Sequence, residues 1–207
     1  MPATMMHLYA GKLDQPNGDL SYYLGCILPD CVDADRTVKD HLHFRDVPAE
    51  ERLVHLIRFG EQLDLSRSFD RGALLHFYLD YLWDNGPQKA HRMNYNGDDW
   101  FRDYRKELAA AGNETYRRMP WAKDLWNKIR TVTPNDYANS LELPEEDILY
   151  FLDFNYHWHT ENVLSPAEIF HAELVDRFTV RSVKAFHSFL HDFFPNLSSL
   201  SERRISP

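Results

Sequence analysis

The chain has 207 residues, 43% of them hydrophobic and 27% charged, which suits one domain, or one with a small appendage, and a sizeable apolar core without staples. The formal charge of -9 argues against a general nucleic-acid-binding surface, because phosphate binding rests on Lys and Arg. It leaves room for a metal-dependent phosphoesterase, whose cations supply positive charge locally. Eight Gly and eleven Pro are too few for a linker-rich or low-complexity protein. No apolar run approaches the ~20 residues that span a bilayer. The start, Met1-Pro2-Ala3, lacks a basic region followed by an apolar stretch, so the expectation is a soluble, cytoplasmic protein.

In chain order, Leu20 to Leu28 carries apolar residues in helical arrangement and stops at Pro29, since proline disfavours helix in the residue before it. This predicts a helix ending at an exposed Asp30. Cys26 and Cys31 flank that turn. A disulfide between them would close only a short loop, so reduced thiols are expected. Cys31 to Val47 is polar without a sustained period and reads as a long loop containing His41 and His43. Pro48-Ala-Glu-Glu opens a second helix through Leu53, Leu56, Ile57 and Phe59, with Pro early and acids at the positive end of the dipole.

A third helix, capped by Ser66 or Ser68, runs through Leu74, Leu79 and Trp83 until Gly86-Pro87 stops it. It is the most hydrophobic helix and is expected at the centre of the bundle. Further helices are expected at 98–111, 116–129, 145–157 and 166–194, separated by Gly-Asn, Pro-Asn and Pro-containing breaks. No run of strands, repeat or second domain is evident. The fold class is therefore all-α: a single-domain multi-helix bundle over 1–207, with its metal motifs in 1–95 and a helical wall in 113–207.

His76 and Asp80 stand four residues apart, so on a helix they share one face within reach of a common metal. Amid Leu75, Leu79 and Leu82, Asp80 needs a metal or a strong hydrogen-bond partner to offset desolvation. Alone, the spacing better fits a His and an Asp paired with each other or with a surface Arg. His7 lies in an apolar setting, where a satisfied core histidine is the commoner outcome. Asp30 alone fits the start of a turn; His41 and His43, alternating on a loop, would point the same way if extended. Asp84, one turn beyond Asp80, and His91 are lesser candidates. His157 and His159, two apart on a helix, fall on different faces. His187 and His191 suggest a solvated stripe, and the five Trp suggest core. Together, imidazoles and carboxylates form the ligand set of hydrolytic zinc sites that keep a position open for water.

The succession HLYAGKL, YLGCILPD, DHLHFRD and LLHFYLDYLW resembles the zinc-dependent phospholipase C family, and more closely its uncharacterised bacterial branch. That family is all-helical and is related to single-strand-specific zinc nucleases. The resemblance implies that Asp30, His43, His76 and Asp80 hold one metal and that Asp80 bridges to a second, which also takes His7. His43 is preferred to His41 because it directly precedes Phe44-Arg45. The secreted enzymes begin with a Trp that binds metal through its amino group; this chain begins with Met1. Their third metal uses a His soon after HxxxD and then an HxxxE pair, and His91 lies farther along than that pattern asks. The third position is expected to be lost. The resemblance covers roughly the first 95 residues.

The expected function is a metal-dependent phosphoester hydrolase, with zinc, in one or two ions, ahead of Mn, Fe or Ni. A small phosphoester or a lipid head group would be the substrate, and Asp30 would accept a proton from the attacking water. The competing expectation is a non-catalytic or vestigial metal protein acting through a partner. A helical phosphohydrolase of the HD type predicts a central His-Asp dipeptide, whereas the chain has that dipeptide only at His191-Asp192.

Overall fold

The structure is a computed structural model that describes residues 3–32, 36–133, 137 and 139–195. It is all-α, with no strand among the described residues. Helix α1 (Thr4–Asp14) is buried at almost every turn, through Met5, Met6, His7, Leu8 and Ala10. A helix apolar on all sides belongs inside a bundle, and α1 packs against α2 (Leu20–Ile27), α5 (Ser68–Trp83), α7 (Trp100–Arg118) and α10 (Ala172–Phe193). The central position expected for the third predicted helix, α5, is also observed: it buries an unbroken run from Gly72 to Asp80.

The tightest packing joins α2 to α5. A Cβ on Gly25 would overlap the Phe69 carbonyl, and one on Gly72 would overlap the Tyr22 carbonyl. The two backbones touch because neither glycine has a side chain. Asp19 fixes the register: one oxygen accepts from Tyr22 N at 2.8 Å and caps α2, while the other accepts from Ser68 Oγ at 2.7 Å at the start of α5. The Ser68 hydroxyl therefore bonds across helices and does not cap its own, and Ser66 bonds to Asp64 instead.

Several boundaries differ from the sequence expectation. After α2 the chain makes one 3-10 turn, Leu28–Asp30, which carries Asp30 into the interior at 7% exposure; the expected exposed Asp30 is incorrect. The expected loop after Cys31 contains a helix, α3 (Arg36–Leu42), and α4 (Arg52–Gln62) starts after a turn at Pro48. Gly86-Pro87 does not end the helical path. A π turn, Asp84–Gln88, carries it into α6 (Lys89–Asn94). The break expected at Gly112-Asn113 is absent: α7 runs through it and ends before Pro120, ahead of α8 (Ala122–Ile129). Asn113 instead holds a loop, donating to Asn162 O and accepting from Leu164 N, each at 3.0 Å. The Pro134-Asn135 break lies outside the described residues.

Helix α9 (Glu145–Glu161) is one turn longer than expected. Helix α10 begins later, after a segment whose amides at Ile169 and Phe170 are held by Glu107. Cys26 and Cys31 are buried free thiols. Trp83 and Trp126 are fully buried in the core, where Trp126 Nε1 donates to Met5 Sδ at 3.0 Å.

Gly25→Ala and Gly72→Ala should each destabilise the fold by about 2 kcal/mol or more, because backbone cannot yield as a side chain can. Urea unfolding measures this, with the exposed Gly86→Ala, which meets nothing within 4 Å, as the control.

Candidate metal centre

Five side chains converge between the central helices. His7 comes from α1, His76 and Asp80 from α5, Asp30 from the turn after α2, and His43 from the end of α3. His43 Nε2 lies 3.2 Å from His76 Nε2 and 3.5 Å from both Asp30 Oδ1 and Asp80 Oδ2. His7 Nε2 lies 3.4 Å from Asp80 Oδ1, and the His7 ring stacks on that of His76 at 3.9 Å. Two groups among the described residues could hold a metal ion, His7 with His76 and Asp80, and Asp30 with His43 and His76. All five residues are buried.

The backbone around His43 is built for this. Helix α3 closes with Arg45 N bonded to Asp40 O at 2.7 Å and Phe44 N to His41 O at 3.0 Å, the paired bonds of a Schellman ending. Phe44 occupies the left-handed position, φ 55°, where glycine is usual. Its ring packs on Phe59 and Phe77 and so offsets the strain. The reversal sends His43 inward and Arg45 toward α5.

The tautomers follow from the carbonyls. His43 Nδ1 donates to Lys39 O and His76 Nδ1 to Cys26 O, both at 2.8 Å. A neutral imidazole has one N–H, so each ring turns a bare Nε2 lone pair toward the other at 3.2 Å. Two lone pairs at that separation repel unless a cation lies between them. Bonds of about 2.05 Å at a tetrahedral angle place two zinc-bound nitrogens about 3.3 Å apart. The orphaned atoms agree: neither His7 nitrogen, nor Oδ1 of Asp30 or Asp80, makes a hydrogen bond. Unsatisfied buried polar groups are costly, and the donor set fits a metal.

Burial and the neighbouring His7 push the His76 ring down to about 3, so it is neutral at ordinary pH. Burial would raise the Asp30 carboxyl. The Lys39 ammonium, 3.3 Å away, together with His43, outweighs it and holds the group well below the usual carboxylate range. Asp80 is likewise held low against its burial, by His7 and by the Arg45 guanidinium at 2.9 Å. Both carboxylates are ionised and ready to ligate.

The centre opens at Asp30 onto a cleft of about 320 Å³ whose lining includes Lys39, Arg105, Tyr150, Phe154, Trp158 and His159. Helices α7 and α9 form its far wall. His159 is buried, with neither ring nitrogen bonded, and burial pushes it down to about 3.

The lesser candidates stand apart. His41 has 81% of its side chain exposed and pairs with Asp46 at 2.6 Å. His91 packs among Tyr95, Tyr104 and Phe170. Asp84 joins neither donor group; it pairs with Arg45 and Arg52 at 3.1 Å. An HxxxE pair does occur in the chain, His157 with Glu161, bonded at 2.7 Å, but on the exposed face of α9. His187 and His191 are exposed, as expected. Sequence reasoning overlooked Lys39, Arg45 and Arg105. Arg45 was discoverable from DHLHFRD, since it follows His43 by two residues; Arg105 carried no local signal.

No family model, curated protein or solved structure matches the chain. The chemistry of the site rests on its own geometry.

His76 and His159 each take up a proton near 6.5 in the unfolded chain and only near 3 when folded. Between those values the unfolded state binds more protons, so stability is lost as pH falls from 6.5 toward 3. Each histidine contributes up to about 1.4 kcal/mol per pH unit. Urea unfolding between pH 6.5 and 4.5 should show a shallower decline for His159→Leu than for the wild type; equal slopes would rule out a buried neutral His159.

Proposed function

We propose that the chain is a cytoplasmic, metal-dependent hydrolase of phosphoester bonds, with zinc as its metal and a small phosphoester or a lipid head group as its substrate. The observation that carries this is the pair of bare imidazole nitrogens, His43 Nε2 and His76 Nε2, facing each other at 3.2 Å beside two ionised carboxylates. Imidazole nitrogens with carboxylate oxygens suit zinc. The order of the donors along the chain supports the same reading through its resemblance to the zinc-dependent phospholipase C family. No helix among the described residues is long and apolar enough to cross a membrane.

Asp30, His43, His76 and Asp80 would hold the ion, and His7 would complete the set or begin a second position with Asp80. The two donor groups share His76, whose one free nitrogen serves one ion, which favours a single zinc. The Lys39 and Cys26 carbonyls orient the rings, as outer partners of metal-bound histidines do. A zinc ion in such a set activates water and polarises a phosphoryl oxygen. Lys39 and Arg105, at the cleft, match the negative charge of a phosphoester. Tyr150, Phe154 and Trp158 accommodate its carbon skeleton, whether in a small phosphoester or a lipid head group. Asp30 would take the proton, weakly, because Lys39 keeps its basicity low.

One observation favours the non-catalytic alternative: Lys39 and Arg45 already neutralise the two carboxylates. Metal analysis and turnover separate the two readings. The purified chain should retain about one zinc, and His43→Ala or Asp80→Ala should weaken zinc binding roughly tenfold or more. Zinc-loaded protein should hydrolyse p-nitrophenyl phosphate or its diester, and both variants should lose that activity. Full zinc content in Asp80→Ala would sink the site assignment. Tight zinc without turnover would leave the non-catalytic reading.

A further inference from the structure

Next to the candidate metal centre, reached through Arg45, which pairs with Asp80 at 2.9 Å, lies a second hollow of about 340 Å³. It is lined by Arg45, Val47, Ala49, Arg52, Asp84, Asn85, Gln88, Lys89 and Arg92, and it shares no lining residue with the cleft. Four cations and one carboxylate meet there, in a chain whose net charge is -9. Such a local inversion of sign focuses the potential on an anion.

The cations are of two kinds. Arg45 and Arg52 are fixed from within. Both reach Asp84 Oδ2 at 3.1 Å, and Arg52 also donates to His43 O at 3.3 Å. Arg52 is buried, and its Nε–H has no acceptor, which is costly for a desolvated charged donor. Lys89 and Arg92 reach in from α6, and neither pairs with an acid among the described residues. Arg92 is steadied by the face of Trp100, 5.1 Å away. Asp84 and the neighbouring Asp80, which pairs with Arg45 at 2.9 Å, offset two of the four charges, so the excess of positive charge facing the hollow is that of Lys89 and Arg92.

We propose that this hollow binds a small soluble oxyanion, a phosphate group carried free or on a compact metabolite. Arginine forks and a lysine point charge are the side chains that recognise phosphate. The volume exceeds that of one phosphate ion and leaves room for a small substituent. A free anion is favoured over a lipid because the lining offers only Val47 and Ala49 as apolar contacts. The site stands independently of the proposed hydrolysis, since none of these residues is a proposed metal ligand.

The test uses the full chain stripped of metal with a chelator, so that phosphate cannot sit on a zinc ion. Titration calorimetry with inorganic phosphate at fixed ionic strength should give a saturable Kd on the order of 0.1 mM. The double substitution Lys89→Ser with Arg92→Ser touches exposed side chains and should weaken binding at least tenfold with unchanged helical circular dichroism. Lys128→Ser, on exposed α8 surface, should leave it unchanged. No saturable binding, or equal binding by the double variant, overturns the proposal. So does binding to phosphatidic acid vesicles without binding to free phosphate.

Discussion

Placing His7, His43, His76, Asp30 and Asp80 in one buried cluster costs desolvation that a helical bundle of this size does not absorb without compensation. The compensation is only partial in the protein alone. Lys39 and Arg45 neutralise the carboxylates, and the Lys39 and Cys26 carbonyls take the Nδ1 protons of His43 and His76. Beyond those contacts, neither His7 nitrogen is hydrogen-bonded, Oδ1 of Asp30 and of Asp80 accepts no hydrogen bond, and the Nε2 atoms of His43 and His76 face each other. A core histidine that is merely structural uses both nitrogens or leaves one toward water. Here the unused atoms belong to different helices and point at one another, which is the arrangement of a site completed by a cation.

The rest of the bundle can be understood as what holds those helices at the required separation. Contact between α2 and α5 at Gly25 and Gly72 puts the Cys26 carbonyl within 2.8 Å of His76 and sets Asp30 across from it. Helix α1 must lie flat enough on α5 for the His7 and His76 rings to stack, and its small and flexible residues allow this. The tie between α1 and α9, Thr4 Oγ1 to Asn155 Oδ1 at 3.1 Å, fixes the wall of the cleft relative to its floor. Packing and site geometry are thus one constraint: a shift of α2 away from α5 would separate Asp30 from His43.

Much of this was legible in the sequence where the signal is local and periodic. The four-residue step from His76 to Asp80 and the apolar run around it specify a shared helical face and its burial, and both are observed. His7 and Asp30 were placed by the order of motifs. The left-handed turn at Phe44 was not legible, because a bulky residue there contradicts its own preference and depends on Phe59 and Phe77 from other elements. Nor was Arg105, whose arrival at the cleft depends on how α7 packs against α1. Gly112 there marks a close approach to Ala3, not a helix end.

Three of the positions where local rules fail lie beside the two cavities. Asp30 is drawn inside by a 3-10 turn that contains Pro29, Phe44 adopts a glycine conformation, and Gly86-Pro87 passes through a π turn where a stop is the default. The first two border the metal centre, and the third supplies Asp84 to Arg45 and Arg52 and sets Lys89 and Arg92 beside them. Regular alternatives at these positions would leave most of the core in place, because it is built from α1, α2, α5, α8, α9 and α10. They would instead withdraw Asp30, turn His43 outward or carry α6 away from Arg45. The left-handed Phe44, the 3-10 turn at Asp30 and the π turn at Asp84–Gln88 are intelligible when the cavities they border are what the fold maintains.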